Sequence, residues 1–360
     1  MALSATSQSA IIVSAFLLPI LTYVYYTRNF NSQSAAGALP PPTEITKLFI
    51  YPIKSCHGIS VPSARLLPTG LDLDRTWMWV TYPDYKFLTI RNLAKMTLIR
   101  PDYNASTDTL TVTAPAPNSI DAKLQFSVPA HPSLSWLEEN TEVVNATVWS
   151  STTKAYCYST KLTGGFNDFF GKEVRLVYKP PFSDEPRKLG SNGAKDLLGR
   201  DANTLFPDMM PVLVGTEKSI GELNERLKKA EDLSIDVRRF RPNILVKGDK
   251  PWDEDRWKTL RISPQAGRKW WKLGTDCEVL DVTQRCARCH VPNVDPETAE
   301  EHKRQPWDTL MKYRRVDEGI KFKPCFGMLC VPRGHGSMLS VGMVMQVTKV
   351  TDNHKYIPGF

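Results

Sequence analysis

Asp281-Val-Thr-Gln-Arg-Cys-Ala-Arg-Cys-His290 is the stretch on which the reading of this chain turns, with Val294-Asp-Pro-Glu-Thr298 just beyond it. The residues leading into it, Cys277-Glu-Val-Leu-Asp-Val-Thr283, alternate as a half-buried strand does. Asp295-Pro296 then favours a turn. Cys289 therefore falls at a strand end, where a thiol can face an open pocket as a soft metal ligand or a nucleophile.

Spacing alone leaves four readings open. Cys286-Ala-Arg-Cys289-His290 is the C-x-x-C-H string that attaches c-type haem, although its flanks read as strand rather than as a small helical domain. Cys286 and Cys289 would bind zinc with Cys325 and Cys330 as the second pair, a loosely spaced one. A thioredoxin-like redox pair calls for a βαβ context that is not evident. The fourth reading is a semi-buried cysteine that packs as a small hydrophobe.

Other segments bear on the choice. Ile50-Tyr-Pro-Ile-Lys-Ser-Cys-His-Gly58, Gly70-Leu-Asp-Leu-Asp-Arg-Thr-Trp-Met-Trp-Val80, Arg239-Phe-Arg-Pro-Asn-Ile-Leu-Val246, Arg285-Cys-Ala-Arg-Cys289 and Pro324-Cys-Phe-Gly327 follow one another in that order. In order and approximate spacing the chain resembles the MOSC-domain proteins, and within them the mitochondrial amidoxime-reducing component family. The resemblance runs from about Lys47 to about Val347. It implies an α+β, strand-rich fold: an N-terminal MOSC-associated β-barrel-like domain followed by a MOSC β-barrel domain with added helices.

The same resemblance implies a molybdenum cofactor, with molybdenum held by the dithiolene of a phosphate-bearing pterin. Thiolate is a soft ligand, and Cys289 matches the ligand position, while Cys286 does not and is expected to pack. Lys54 and Ser55 match phosphate and pterin contacts, Arg75 another, and Arg241 and Asn243 the pair gripping the far side. Arg288 adds positive potential beside the thiol. Bland alternatives stand beside these: a solvated Lys54, an Arg75 paired with Asp72 or Asp74, and an exposed Arg238–Arg239–Arg241 cluster. The chain also departs from the family pattern. Met209 and Met210 stand where relatives often carry small hydroxyl residues, and Ala287 where serine is common, so the pocket is expected to be more apolar than usual.

Composition is compatible with this. The chain has 360 residues, 41% of them hydrophobic, enough for two domains and a large core. Seven cysteines in so long a chain suggest reduced thiols. The formal charge of +8 fits an anionic cofactor and an acidic protein partner. No dense basic run is interleaved with aromatics, which argues against nucleic acid. No ferredoxin-type cysteine run and no G-x-G-x-x-G fingerprint is present, so electrons must come from outside. The resemblance implies cytochrome b5 and NADH-cytochrome b5 reductase as the source, and small N-hydroxylated compounds as substrates. The length leaves no room for a separate pyridoxal-phosphate domain. A non-catalytic carrier of the cofactor or its sulfur is the competing class.

The N-terminus carries no charged residue before Arg28, and Ala10 to Tyr26 is mostly apolar. That run reads as an uncleaved membrane anchor with Tyr23, Tyr25 and Tyr26 as an interfacial belt; a cleaved leader is the alternative. The expected location is the mitochondrial outer membrane, catalytic part toward the cytosol. The expected divisions are an anchor over 1–27, a Pro/Ser-rich linker over 28–43, the first domain over 44–180 and the MOSC domain over 181–360. Strands are expected at Thr46–Tyr51, Thr76–Val80, Thr109–Thr113 and Val174–Tyr178. One helix is expected at Ser219–Leu227 with Ser219 as its N-cap, and another at Lys161–Phe170 despite Gly164-Gly165.

Overall fold

β-Branched and apolar runs separated by polar turns fold here into strands whose apolar faces share one interior. The structure, a computed structural model, describes residue 19 and residues 37–359 apart from 120, 265–276 and 335. Seven strands form a closed barrel: β1 (Thr43–Ile50), β2 (Val212–Thr216), β3 (Ile244–Val246), β4 (Trp257–Ser263), β5 (Glu278–Ala287), β6 (Cys325–Pro332) and β7 (Val344–Val350). Their order is β3-β2-β6-β5-β4-β7-β1, closed by pairing of β1 with β3. Only the β2–β3 pair is parallel among these contacts. A parallel pair needs a crossover, and the helix Glu217–Glu231 supplies it. The strand that opens the N-terminal half thus completes the barrel of the C-terminal half.

Inside the barrel Leu48, Val212, Val214, Leu260, Val282 and Met328 are almost wholly buried in one core. β6 carries a bulge against β5, where the register slips between Arg285 and Ala287. Gly327 sits in that bulge with φ of +75°, and a Cβ there would lie 2.8 Å from the Val214 carbonyl oxygen, so glycine lets β6 cross close to β2.

The rest of the N-terminal half is antiparallel. Trp77–Thr81, Val174–Tyr178, Ser151–Tyr158 and Thr141–Val148 pair in that order. Arg100–Asn104, Thr109–Pro115 and Lys123–Pro129 form a meander. Trp79 joins the two by stacking on Phe166 at 5.1 Å and meeting Phe126 edge-on at 6.2 Å.

Two expectations about helices change. The N-cap of Glu217–Glu231 is Thr216, whose hydroxyl accepts from the Ser219 N–H. Ser219 lies inside the first turn, fully buried, and takes the Trp252 N–H instead. The helix expected over Lys161–Phe170 is two short ones, Thr160–Thr163 and Phe166–Phe170, broken at the Gly164-Gly165 pair. The linker expected to reach Thr43 stops short of it, because Thr43 already belongs to β1.

The expected membrane location is also corrected. Among the described residues no helix is long and apolar enough to cross a membrane. The run Ala10–Tyr26, on which that expectation rested, lies outside the described residues apart from Pro19.

His131 ties the meander to the turn at Asp72. Its Nδ1 lies 2.6 Å from Asp108 Oδ1 and its Nε2 3.0 Å from Asp72 Oδ2. The hydrogen bond to Asp72 raises its pKa to about 9, partial burial opposes this, and Asp108 adds to it. A histidine pKa raised above the ordinary 6.5 stabilises the fold fully below that value, and the gain is lost as pH rises through about 9. The ring is half-exposed, so screening keeps the effect under about 1 kcal/mol. His131→Ala should therefore lower stability to urea at pH 6 but not at pH 10; an equal loss at both would show that the ion pairs contribute nothing.

Candidate functional site

β1 runs straight into the loop Tyr51–Gly58, which lies alongside the segment Asp72–Trp77. The Arg75 N–H donates to the Tyr51 carbonyl at 2.8 Å, and the Lys54 N–H to the Trp77 carbonyl at 2.8 Å. The stretch before β2 closes over both: the Phe206 N–H donates to the Arg75 carbonyl at 3.1 Å, and the Lys54 ammonium donates to the Phe206 carbonyl at 2.8 Å. Residues before β3 and after β5 complete the surround.

These segments enclose a cavity of about 310 Å³. Lys54, Ser55, Arg75, Arg241, Asn243 and Arg288 all line it, and so does Cys289. Residues spread over more than two hundred positions thus meet in one place. Three of them, Ser55 (φ +67°), Arg75 (+49°) and Arg241 (+57°), hold left-handed backbone. Such conformations cost non-glycine residues roughly 1–3 kcal/mol each and gather at functional sites.

The charge balance is lopsided. Arg91 and Lys323 join Lys54, Arg75, Arg241 and Arg288 in the lining, against the single carboxylate of Asp208. Arg75 and Arg241 both lie over the Tyr51 ring, at 4.5 and 4.2 Å. Arg75 donates to Asp74 at 2.6 Å, to Asn243 Oδ1 at 3.1 Å and to the Arg241 carbonyl at 3.2 Å. Arg241 donates to the Cys56 carbonyl at 2.6 Å. Burial, and then the like charge of Arg75, bring the Arg241 pKa down to about 10.

Arg241 Nη2 and Arg288 Nε are buried with no partner among the described residues. A buried charge left short of partners is costly, and an anion bonded to these groups would remove the cost.

The expected roles sort themselves by what each group already binds. Lys54 is buried and paired with Asp208; burial lowers it to about 8, while Asp208 opposes. Asp208, pulled down against burial by Lys54 and then Arg91, also accepts from Trp149 Nε1 at 3.2 Å. Asn243 accepts from the Leu213 N–H at 3.0 Å and donates to the Phe49 carbonyl at 3.3 Å, so its amide stitches β1 to β2. The arginine cluster is no solvated face. Arg239 binds Asp295 at 2.6 Å and the Asn293 carbonyl at 2.9 Å, and Arg238 binds Glu297 at 2.7 Å. Both hold the turn that follows Cys289.

All seven cysteines are free. Cys56, Cys157, Cys325 and Cys330 are buried, and burial raises the Cys325 thiol to about 12. The zinc reading is therefore corrected: among the described residues no group of three or more His, Cys, Asp or Glu could hold a metal ion. Cys286 accepts from Arg288 Nη1 at 2.9 Å and packs with Met209 beside Met210, Leu213 and Leu329. Cys277 is engaged by Arg261 at 2.7 Å. Cys286 and Cys289 both line the pocket and are both partly exposed; Cys286 lies within β5, and Cys289 two residues past its end. Arg288 is fixed beside it by its N–H to the Pro324 carbonyl at 2.8 Å and by Nη2 to the Phe240 carbonyl at 2.8 Å.

Sequence reasoning missed Asp208, Arg91, Trp149 and Tyr356 as lining residues. Arg91 stacks on Trp149 at 4.4 Å, a pairing between remote segments that no local pattern signals.

The MOSC N-terminal beta barrel domain family matches residues 43–172, and the MOSC domain family matches residues 201–349. The chain is a MOSC-domain protein. This MOSC protein is 29% identical over 304 residues to mitochondrial amidoxime-reducing component 1 of Danio rerio, covering 83% of this chain and 82% of that one. It is 29% identical over 293 residues to mitochondrial amidoxime reducing component 2 of Homo sapiens, covering 79% and 77%. It is 28% identical over 324 residues to molybdenum cofactor sulfurase of Oryza sativa subsp. japonica, covering 87% of this chain and 36% of the sulfurase.

Proposed function

We propose that this MOSC protein is a molybdenum-cofactor reductase of N-hydroxylated compounds. The observation that carries the reading is the meeting of Cys289 with a strongly cationic pocket in which Arg241 and Arg288 keep unpartnered buried N–H groups. That donor set fits an anionic pterin phosphate with a thiolate-binding metal: Cys289 would ligate the metal, and Arg241 and Arg288 would bond the anion. Relatives named as amidoxime-reducing components along most of the chain support it. When bound, the cofactor supplies two-electron reduction with oxygen removal. The balanced reaction is amidoxime plus two electrons and two protons giving amidine and water.

The chain's own part is to hold and to exclude. Arg239 and Arg238 keep in place the Asp295–Glu297 turn that follows Cys289 in the chain. Met209, Met210, Leu213 and Leu329 give the cavity an apolar side suited to an organic substrate. Electrons would come from cytochrome b5 and its NADH-dependent reductase.

A second reading, a non-catalytic carrier of the cofactor or its sulfur, draws on the sulfurase relative, which matches the same part of the chain. Cofactor-loaded protein, cytochrome b5, its reductase and NADH should convert benzamidoxime to benzamidine. Absence of benzamidine even with reduced methyl viologen as electron source would favour the carrier.

A further inference from the structure

The segment His354–Ile357 lies beyond the residue at which the MOSC match stops, 349, yet Tyr356 lines the cavity that holds Cys289. The segment is neither helix nor strand. It is nonetheless fixed along its length by side chains of the barrel half. Asn192 donates to the Lys355 carbonyl at 2.8 Å and accepts from the Ile357 N–H at 2.8 Å, as a neighbouring strand would. Asp317 accepts from the Tyr356 N–H at 2.9 Å. Arg285 donates to the His354 carbonyl at 2.8 Å, and His354 Nε2 lies 2.7 Å from the Trp257 carbonyl oxygen. Ser191 donates to the Ile357 carbonyl.

Asn192, Asp317 and His354 are buried. Buried polar groups are costly unless their bonds are made, so three of them committed to one irregular segment make its position a defined part of the fold. Two further contacts link it to the pocket. A Cβ on Gly319 would fall 2.0 Å from the Tyr356 carbonyl oxygen, so the loop before β6 lies directly on the segment. Gly193, next to Asn192, packs so tightly on Met210 that a Cβ would sit 2.8 Å from its sulfur. Asn192 thus grips the segment while its neighbour supports the apolar side of the same cavity.

We infer that His354–Ile357 is a fixed wall of the site and that Tyr356 is a specificity-determining residue, limiting the bulk of the N-hydroxylated compound that reaches Cys289. The identity of the substrate rests on the reading above; the existence of the wall does not.

The test uses Tyr356→Ala, which shortens the wall, and Asn192→Ala, which releases it, in the full-length chain. Alkylation of Cys289 by iodoacetamide and by fluorescein maleimide is followed on cofactor-free protein by peptide mass spectrometry. Two lost hydrogen bonds should raise the bulky-to-small rate ratio about tenfold in Asn192→Ala, with a rise also in Tyr356→Ala. A ratio unchanged from the parent in both variants would overturn the wall. On loaded protein, kcat/KM for a bulky amidoxime relative to N-hydroxyurea should rise in both variants. Unmoved selectivity beside a raised alkylation ratio would overturn the specificity role. Absence of any turnover in the parent would instead sink the reductase reading, with the alkylation ratio still deciding the wall.

Discussion

Cys289→Ala should lower benzamidoxime reduction on the order of a thousandfold, the scale of losing a group that acts at the reacting centre, while Cys286→Ala keeps most of the activity. Both thiols line the pocket and are partly exposed, but Cys286 lies within β5, accepts from Arg288 and packs against Met210, Leu213 and Leu329, whereas Cys289 stands past the end of β5. The predicted cost of Cys286→Ala is one modest contact, roughly 1 kcal/mol of stability, with the position of Arg288 loosened. Steady-state kinetics on both variants, with metal content measured on the same samples, makes the comparison. Equal collapse of both activities would mean that the two thiols act as a pair.

Arg241→Ala should cut cofactor occupancy sharply. Its Nη1 donates to the Cys56 carbonyl, yet among the described residues its Nη2 has no partner. Losing one charge-assisted contact of roughly 1.5–3 kcal/mol weakens binding by about ten- to a hundredfold. Arg241→Lys should fall between, because lysine keeps the charge and loses the planar fork. Lys54→Ala should cost less occupancy, since that ammonium already serves Asp208 and the Phe206 carbonyl. Molybdenum and pterin per chain, measured beside the apoprotein's thermal midpoint, separates binding from folding. Full occupancy in Arg241→Ala would remove this residue from the site.

Several strands could be read from β-branched and aromatic runs set between turn residues. Val174–Tyr178 falls where its β-branched pattern put it. The N-cap at Thr216 could not be separated from Ser219, since both are capping types and only the tertiary bond from Trp252 claims Ser219. Closure of the barrel by Thr43–Ile50 leaves no local trace either: it is a pairing between residues about two hundred apart.

The site was legible in parts for a similar reason. Its strings sit on strand ends and loops whose residue types carry chemistry, and Lys54, Arg241 and Cys289 do meet at one cavity. What each group already binds could not be read. Asp208 as the partner of Lys54, Arg239 as the brace of Asp295, and Tyr356 as a wall are contacts between distant segments.

The most direct test of the account is elemental and pterin analysis of the purified full-length chain, produced in a host that makes the molybdenum cofactor. The account predicts stoichiometric molybdenum with a phosphate-bearing pterin in the parent protein and loss of both in Arg241→Ala. A protein free of molybdenum and pterin, or one carrying stoichiometric zinc instead, would contradict it.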